Sequence, residues 1–263
     1  MERKTRQMRK RQRRASRAEM ETRISEQQRK IKFLANRNFE LKKWAVAQFV
    51  KPDLSARKTG ELIENSKSQL GQDIFALYSR EHTSPGFFVE FGATDGIGHS
   101  NTWLLEHFLG WRGILAEPNR LFYSQLVQNR PNAFLSNKLV WKESGDFLEF
   151  SDAGAMSTLS RHLESDHHTR QVRGTYEVET ISLSDLLLQG GAPSRVDFLS
   201  IDTEGSELEI LQEFDFARWD IRLIAVEHNY GPQAPFLLDL MADAGYQRVM
   251  EEISGQDYWC VKT

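Results

Sequence analysis

Short apolar runs alternate with segments of helical periodicity from about residue 72 to the C-terminus. The runs are bounded by turn residues and are rich in Val, Ile, Leu and Phe, which is typical of buried strands in a parallel sheet. The segments between them repeat apolar positions at helical spacing, which favours amphipathic helices. Strands that alternate with helices at such short intervals predict an α/β fold, a mostly parallel sheet with helices on both faces.

The predicted elements follow each other closely along this region. Strands are predicted at Phe87–Phe91, Arg112–Glu117, Asn132–Trp141, Phe147–Phe150, Tyr176–Ile181, Val196–Ile201, Ile221–Val226, Tyr246–Ile253 and Tyr258–Val261. Helices are predicted at Gln72–Arg80, from Asn101 onward, and at Leu121–Gln128, Ser184–Gln189, Glu207–Glu213 and Pro235–Ala244. The polar stretch Ser151–Thr175 is expected to form an excursion over the sheet edge. The last two strands are expected to pair as a hairpin across Ser254 and Gly255.

Charged residues are distributed unevenly along the chain. Residues 1–43 hold 16 Lys/Arg and 5 Asp/Glu, a net charge of +11, whereas the other 220 residues carry −14. The basic segment contains no Pro or Gly, so we expect it to be helical at least in part. We therefore divide the chain into a basic, helical or partly disordered arm (1–50), a linker (51–67) and a folded domain (68–263).

The basic arm has three competing interpretations. A heptad pattern starts at Ile24, but half of its seam positions are polar or small, so it predicts a short, poorly specified coiled coil that would join copies of the chain. The second interpretation is a solvated helix or tail, and the third is attraction to nucleic acid or an anionic membrane surface. The seam positions are Ile24, Ile31, Asn38 and Ala45 on one side and Gln27, Leu34, Leu41 and Gln48 on the other.

Composition narrows the class of protein. A chain of 263 residues with 40% apolar content is long enough to bury one sizeable α/β domain. No run approaches the ~18 apolar residues that a membrane span requires. The basic N-terminus is not followed by the apolar stretch of a secretory signal, so we expect a cytoplasmic protein. Cys260 is the only cysteine, which excludes an internal disulfide, and its apolar surroundings indicate a packed thiol.

Residues Gly86 to Gly98, which read G-F-F-V-E-F-G-A-T-D-G-I-G, carry the strongest functional signal. A buried strand, a glycine-rich turn and a helix in this order form the ligand-binding edge of open α/β sheets. The turn has no Lys, and it has neither the P-loop nor the dinucleotide spacing of glycines. Its two carboxylates, Glu90 and Asp95, would repel a pyrophosphate but suit a ligand with an ammonium group and a sulfonium centre.

A second acidic strand end follows at Glu117, 22 residues after Asp95. An acid at the end of the second strand is placed to accept hydrogen bonds from both hydroxyls of a ribose. A ligand that combines an amino acid with a ribose and has no phosphate is S-adenosylmethionine. The alternative role of Glu117 is to cap the helix that follows it.

Several motifs together resemble the FkbM family of S-adenosylmethionine-dependent methyltransferases. They are F-V-E-F-G-A-T-D-G at 88–96, S-N-T at 100–102, G-W-R-G-I-L-A-E-P-N at 110–119, D-F-L-S-I-D-T-E-G-S-E at 197–207, S-Q-L-G-Q-D at 68–73 and M-S-T-L at 156–159. The resemblance covers Ser68 to Thr263. It implies a Rossmann-like class I methyltransferase fold, with a seven-stranded sheet whose last strand is antiparallel. We assign to cofactor binding the residues Glu90, Gly92, Asp95, Gly96, Asn101, Glu117, Pro118 and Asn119.

Polar side chains also follow two later predicted strands, and their role stays open. Asp202 and Glu227, with Asn229 or His228, could hold a divalent cation such as magnesium through oxygen-rich ligation. Alternatively, His228 or His99 could act as the general base that removes a hydroxyl proton. The candidate catalytic residues are therefore His99, Asp202 and His228, and the candidate metal ligands are Asp202 and Glu227.

Other polar residues near these strands have simpler explanations. Glu204 and Glu207 are expected to favour the N-terminus of the next helix through its dipole. His162, His167 and His168 lack metal-ligand spacing and are expected in a solvated loop. The M-S-T-L motif at 156–159 belongs to the family pattern, so we expect that loop to face the pocket.

The resemblance and the acidic strand ends together predict an S-adenosylmethionine-dependent O-methyltransferase. Members of the FkbM family methylate sugars and natural-product hydroxyls, so a saccharide or glycoconjugate is the first choice of acceptor. One alternative is a methyltransferase that acts on RNA or another polyanion recruited by the basic arm, which steep salt dependence would reveal. The other is a catalytically silent ligand-binding or assembly subunit.

Overall fold

The computed structural model of the protein describes residues 39–78, 85–163 and 169–263, and residues from Lys43 to Thr263 form one compact unit. Its helices are α1 (Ala56–Asn65), α2 (Gln72–Phe75), α3 (Trp103–His107), α4 (Arg120–Asn129), α5 (Leu183–Gln189), α6 (Glu207–Gln212), α7 (Ala234–Asp243) and α8 (Glu251–Ser254). Its strands are β1 (Phe87–Phe91), β2 (Arg112–Ala116), β3 (Phe134–Ser136), β4 (Leu139–Trp141), β5 (Phe147–Asp152), β6 (Thr158–Leu159), β7 (Gly174–Ser182), β8 (Arg195–Ile201), β9 (Asp220–Glu227), β10 (Tyr246–Val249) and β11 (Asp257–Lys262).

Seven strands form the main sheet, in the order β10-β11-β9-β8-β1-β2-β3. The central strands β9, β8, β1, β2 and β3 pair in parallel, whereas β11 is antiparallel to both of its neighbours. The sheet is therefore mixed rather than wholly parallel, and it has the one antiparallel strand that the resemblance implied. This arrangement confirms the prediction of a methyltransferase-like α/β fold.

Both faces of the main sheet are covered, because successive strand residues point to opposite sides. Phe88 packs with apolar residues of α1, α2, α3 and α4, whereas its neighbour Val89 packs with residues of α5, α6 and α7. Cys260 is completely buried in the second of these layers, as predicted for a packed thiol.

A second sheet of four strands, in the order β4-β7-β5-β6, was not predicted. The segment Asn132–Trp141, predicted as one strand, divides between the two sheets. Ser136 Oγ accepts a hydrogen bond from the Lys138 backbone N–H at 3.2 Å, a local turn that takes the chain out of the main sheet. The stretch Ser151–Thr175, predicted as a polar excursion, contributes β6 and the start of β7 to this second sheet.

The N-terminal part of the described chain is more structured than the predicted linker implies. Residues 39–50 are helical, and the segment 51–67 contains α1, whose Leu62 and Ile63 are buried in the core. Most of the basic arm, and with it most of the coiled-coil prediction, lies outside the described residues. Of the predicted seam positions, Leu41, Ala45 and Gln48 are described, and all three are exposed.

The C-terminal hairpin pairs as predicted, with Tyr246 opposite Lys262 and Val249 opposite Trp259. Its connection differs from the prediction, because β10 ends at Val249 and the chain forms the short helix α8 instead of continuing as a strand to Ile253. The change occurs at Met250, which has a positive φ of 56° and cannot continue a strand. Within the described residues, no helix is long and apolar enough to span a bilayer.

Candidate active site

The carboxyl ends of β2, β1, β8 and β9 lie side by side at one edge of the main sheet. These ends bring together the glycine-rich turn after β1, Glu117 after β2, Asp202 after β8 and Glu227 at the end of β9. This is the edge at which open α/β sheets bind their ligands. The turn and Glu117, predicted to bind the cofactor, therefore share one site with Asp202 and Glu227, the candidate metal ligands.

The turn after β1 depends on two glycines with positive φ, Gly92 at 79° and Gly96 at 78°. A Cβ on Gly92 would lie 1.7 Å from the Asp202 carbonyl oxygen, and a Cβ on Gly96 would lie 2.7 Å from Arg130 Cγ. Gly92 is thus required by close packing of the neighbouring strand end. From the sequence, this glycine was assigned to cofactor binding.

Glu90 is buried beneath this turn and holds the following loop in place. Its carboxylate accepts hydrogen bonds from Asn101 N–H at 2.7 Å, from Ser100 Oγ at 3.1 Å and from the Thr102 hydroxyl. Burial raises the pKa of Glu90, and the nearby Arg130 guanidinium opposes that rise. Because its oxygens are engaged within the protein, Glu90 supports the ligand-binding turn from below.

Arg130 is the buried cation that joins these parts, and sequence reasoning missed it. Its guanidinium donates to Glu106 Oε2 at 2.6 Å, to the Gly96 carbonyl at 3.0 Å and to Ser100 Oγ at 3.1 Å. Its other amino group donates to Thr102 Oγ1 at 3.0 Å. Arg130 follows α4, far along the chain from the turn, so no local motif identifies its role.

Asp95 stabilises its own loop. Its Oδ1 accepts the backbone N–H groups of Ile97 at 2.9 Å and Gly98 at 2.7 Å, which is the pattern of an Asx turn. Asn129 donates to the Asp95 carbonyl oxygen at 2.8 Å and ties the loop to α4. Asp95 therefore shapes the turn through internal hydrogen bonds.

Glu117 lines a cavity of about 520 Å³, hereafter the Glu117 cavity. Its two carboxylate oxygens accept backbone N–H groups of Thr94 and Asn119, each at 2.7 Å. Burial raises the pKa of Glu117 to about 7. The lining comprises Phe91, Gly92, Thr94, Ala116, Glu117, Pro118, Phe122, Lys138, Leu139, Val140, Phe150, Gly154, Ala155, Ser157, Asp202 and Thr203.

The second sheet supplies one wall of the Glu117 cavity, which the sequence analysis did not anticipate. Leu139 and Val140 of β4 and Phe150 of β5 make this wall apolar. Ser157 of the M-S-T-L motif also lines the cavity. Lys138 at the same wall is paired with Glu179 at 2.6 Å, so its charge is compensated within the protein.

Asn119, which the sequence analysis assigned to cofactor binding, uses its side-chain polar groups within the protein. Its Oδ1 accepts the N–H groups of Leu121 and Phe122 and so caps α4. Its amide donates to Asp152 at 3.0 Å and to Ser157 at 3.1 Å. Asn119 is 1% exposed and is a structural link, whereas Pro118 next to it does line the cavity.

Asp202 and Glu227 form a carboxyl pair at the inner end of the site. Their carboxyl oxygens lie within 4.8 Å of each other, close enough for the pair to share a proton. Burial, followed by the charge of Glu204, raises the pKa of Asp202 well above its usual value. Burial and the charge of Asp202 raise the pKa of Glu227 in the same way.

These two residues and Glu204 offer oxygens within 4.8 Å of one another, a donor set that suits a hard divalent cation. Each member is already engaged, however. Glu204 is paired with Arg170 at 2.7 Å, and the Glu227 oxygens accept from Asn229 at 2.6 Å and Gln256 at 3.1 Å. As placed, the cluster fits a shared proton better than a cation.

A second cavity, of about 330 Å³, shares Asp202 with the Glu117 cavity and is hereafter the Asp257 cavity. Asp257 begins β11 and lies opposite Glu227 in the strand register. It is 5% exposed, and burial raises its pKa to about 6. The lining comprises Gln69, Gln72, His99, Asn101, Ser200, Ile201, Asp202, Ala225, Glu227, Gln256 and Asp257.

The structure separates the two candidate histidines. His99 is exposed, has a positive φ of 63° and lines the Asp257 cavity together with Asp202. His228 lines a third cavity of about 390 Å³ between β9 and α7, which Glu227 also lines. Burial and the charge of Arg248 lower the pKa of His228.

Glu207 and the histidines of the segment 162–168 were the other polar residues with a predicted role. Glu207 lies in the first turn of α6, where the prediction placed it, and it also accepts N–H groups from Thr203 at 2.9 Å and Gly205 at 3.1 Å in the preceding turn. The prediction of a solvated His162 is wrong, because its ring is buried with Nε2 2.8 Å from Glu209. His167 and His168 lie outside the described residues.

Comparison with known proteins gives the family. The model of the methyltransferase FkbM domain matches residues 90–248, which is more than half of the chain. No curated protein matches this chain.

Three solved structures illustrate the range of similar folds. A precorrin-6y C5,15-methyltransferase from Geobacter metallireducens is 12% identical with a TM-score of 0.42, covering 81% of this chain and 96% of that one. A ribosomal protein L11 methylase from Lactobacillus delbrueckii subsp. bulgaricus is 9% identical with a TM-score of 0.38, covering 73% and 78%. A methyltransferase FkbM from Methylobacillus flagellatus is 13% identical with a TM-score of 0.40, covering 84% and 58%.

These TM-scores are too low to support an inference about activity, so the assignment rests on the family match. That match covers the end of β1 with its glycine turn, Glu117, and the acidic ends of β8 and β9. It agrees with the resemblance of the motifs. The chain belongs to the FkbM methyltransferase family.

Proposed function

We propose that the protein transfers a methyl group from S-adenosylmethionine to a hydroxyl oxygen of a saccharide or glycoconjugate. The observation that carries this proposal is Glu117, a buried carboxylate that lines a cavity beside the glycine turn of β1. Each Glu117 oxygen accepts one backbone N–H and keeps a second lone pair, so it can also accept a ribose hydroxyl.

The rest of the Glu117 cavity matches the other parts of the donor. Phe122, Leu139 and Phe150 offer apolar surface to an adenine ring. Asp202, at the opposite end, puts negative charge where a sulfonium and an ammonium group would lie. The residues present therefore fit S-adenosylmethionine.

The donor supplies an activated methyl group, whose carbon–sulfur bond breaks as the acceptor oxygen attacks, leaving S-adenosylhomocysteine and a proton. The protein has to align the acceptor, exclude water and take up that proton. His99 and the Asp202–Glu227 pair line the Asp257 cavity next to the donor site and are the candidate proton acceptors. His228 lines a separate cavity, which makes it the weaker candidate.

The proposed reaction does not need a metal. Magnesium at Asp202 and Glu227 is the alternative, and it would require both carboxyl groups to ionise and to displace their present partners. We expect treatment with EDTA to leave methyl transfer unchanged. If EDTA abolishes turnover and magnesium restores it, Asp202 and Glu227 bind a cation and do not share a proton.

The proposal is tested by isothermal titration calorimetry with S-adenosylmethionine and by labelled-methyl transfer to a glycan panel. Glu117→Gln should weaken donor binding by about 10- to 100-fold, the loss expected for charge-assisted hydrogen bonds of ~1.5–3 kcal/mol. The matched control is Glu143→Gln, an exposed loop residue, which should bind like the wild type. A wild-type protein that binds no donor would exclude the proposal.

Two other functions compete with this one. The charge of +11 in residues 1–43 favours a polyanionic acceptor such as RNA, for which binding would weaken steeply with salt. A silent ligand-binding or assembly subunit would bind the donor and transfer no methyl group to any acceptor. A saccharide acceptor instead predicts turnover that changes little between low and moderate salt.

A further inference from the structure

We propose that the Asp257 cavity is the acceptor subsite, and that it selects hydroxyl-bearing acceptors that are uncharged or cationic over phosphorylated ones. This inference rests on the proposed function, because it places the acceptor beside the donor in the Glu117 cavity. The two cavities share Asp202, so a ligand in each would meet at that residue.

Asp257 presents one carboxylate oxygen to this cavity. Its Oδ2 accepts Gln72 Nε2 at 2.8 Å and Trp259 Nε1 at 3.2 Å, which fixes the side chain. Its Oδ1 has no hydrogen-bond partner among the residues that the structure describes. The Asp257 side chain is only 5% exposed, so this oxygen needs a hydrogen-bond donor. A hydroxyl or ammonium group of the methyl acceptor would supply that hydrogen bond.

Asn101 makes a second, independent demand for a donor in the same cavity. Its Nδ2 donates to Ser200 Oγ at 2.9 Å, which orients the amide. Its Oδ1 is buried and accepts no hydrogen bond from any described part of the chain. This cavity therefore contains two oxygen atoms that accept no hydrogen bond from the described residues. They indicate a ligand that can donate at least two hydrogen bonds from hydroxyl or amino groups.

The charge of the lining determines which ligands are excluded. Asp202, Glu227 and Asp257 contribute carboxyl groups, and neither Lys nor Arg is among the lining residues. Like charges about 4 Å apart repel strongly where water screens them only partly. A phosphate would meet this repulsion without a compensating cation, whereas the amides of Gln69, Gln72 and Gln256 suit sugar hydroxyls.

The residues that define this subsite come from the ends of the domain. Gln72 lies in α2 and Asp257 in β11, and both are outside residues 90–248, the part matched by the FkbM domain. Gln72 is 5% exposed, and its Oε1 accepts Leu70 N–H at 2.9 Å, so its amide is held towards Asp257. The segments that flank the matched domain thus supply residues that would contact the methyl acceptor, next to the cavity proposed for the methyl donor.

The test measures binding of three probes by saturation-transfer NMR: methyl α-D-glucopyranoside, D-glucosamine and D-glucose 6-phosphate. Each is titrated into full-length protein with and without S-adenosylhomocysteine, whose own binding is followed by calorimetry. The wild type should bind the first two probes and exclude the phosphate. Asp257→Asn should weaken both by tenfold or more and leave S-adenosylhomocysteine affinity unchanged, and Asp243→Asn, at an exposed helix position, is the matched control.

A gain of binding keeps the test informative if Asp257→Asn fails to fold. Gln69 is exposed at the cavity rim, so Gln69→Lys should fold normally and should admit D-glucose 6-phosphate. The proposal is overturned if the wild type binds the phosphate or none of the probes, if Asp257→Asn weakens S-adenosylhomocysteine as much as sugar, or if Gln69→Lys gains nothing. If S-adenosylhomocysteine itself does not bind, the proposed function is wrong. Titration of the sugars in the absence of S-adenosylhomocysteine still tests the acceptor subsite in that case.

Discussion

At the scale of single residues, the site is supported by buried charges that satisfy one another. Arg130 is completely buried and donates to Glu106, Gly96, Ser100 and Thr102, while Glu90 accepts from the same loop. Buried ions are costly unless they are paired and hydrogen-bonded, and removal of one partner leaves the other unpaired. The glycine-rich turn after β1 therefore depends on a buried cation that donates to the Gly96 carbonyl.

Arg130→Met tests this dependence. We expect the free energy of unfolding to fall by about 3–5 kcal/mol, the usual loss when one member of a buried ion pair is removed. Urea denaturation measures it. The control is Arg57→Met, whose partner Glu61 is 43% exposed, and which should cost at most about 1 kcal/mol. Equal losses in the two variants would contradict a special role for Arg130.

Residues of the site were predictable where a local rule applies to them. Glu117, Asp202 and Glu227 follow strands, and the carboxyl ends of parallel strands share one edge. Arg130 and Asp257 reach the site through contacts distant in sequence, and nothing near them in the chain announces those contacts. Asn119 was itself assigned to cofactor binding, and only the structure shows that its side-chain amide caps a helix and donates to Ser157.

At the scale of elements, the turn after β1 joins three strands. The Gly92 N–H donates to the Ala116 carbonyl at 3.1 Å and the Asp202 N–H to the Phe91 carbonyl at 3.2 Å, so β2 and β8 are both held at this point. The space above Gly92 is filled by the Asp202 carbonyl. A side chain at this position would push β8 away from β1.

Gly92→Ala separates this clash from the general strain of a positive φ. Gly110 has a φ of 70° and no atom within 4 Å of its missing Cβ, so Gly110→Ala should lose only about 1 kcal/mol from strain. Gly92→Ala carries the same strain and also the clash with backbone, so it should lose several kcal/mol more and should bind donor poorly. Thermal unfolding and calorimetry of the two variants measure the difference. Similar stability in both would show that β8 can move aside without cost.

Elements were predicted well where apolar runs are bounded by clear turn residues. Phe87–Phe91 was predicted with the bounds that the structure has, and the strand at Val196–Ile201 differs by one residue. The second sheet was missed because its strands are short and only the polar residues 136–138 separate the apolar residues of β3 from those of β4. A single hydrogen bond from Lys138 to Ser136 makes that division, and periodicity does not report it.

At the scale of the whole molecule, buried carboxyl groups are concentrated at one edge of the main sheet. Burial raises the pKa values of Glu90, Glu117, Asp202, Glu227 and Asp257, to about 7 for Glu117 and about 6 for Asp257. The folded chain therefore binds protons that the unfolded chain releases. The same negative edge that suits a sulfonium donor is a source of instability when no ligand is bound.

This concentration fixes the sign of the pH dependence of stability. A carboxyl group whose pKa is higher in the folded state stabilises the fold below its unfolded pKa, and that contribution is lost as pH rises through the folded value. For Glu117 the window runs from 4.5 to about 7 and corresponds to about 3 kcal/mol. His228, whose pKa is lowered, acts in the opposite direction below pH 6.5, but it is a single group against five carboxyls.

We therefore expect the free energy of unfolding, measured with urea at a series of pH values, to be larger near pH 5.5 than near pH 8. Glu117→Gln should flatten the part of this dependence between pH 5 and 7, because the amide does not titrate, whereas Glu143→Gln should leave it unchanged. A ligand that places a positive charge beside Asp202 should offset the loss of stability at high pH. The stabilisation by S-adenosylmethionine should therefore increase, relative to that by S-adenosylhomocysteine, between pH 6 and pH 8. Stability that rises steadily from pH 5 to 8 would mean that these carboxyl groups are hydrated and ionised in the folded protein, and the argument for a desolvated site would fail with it.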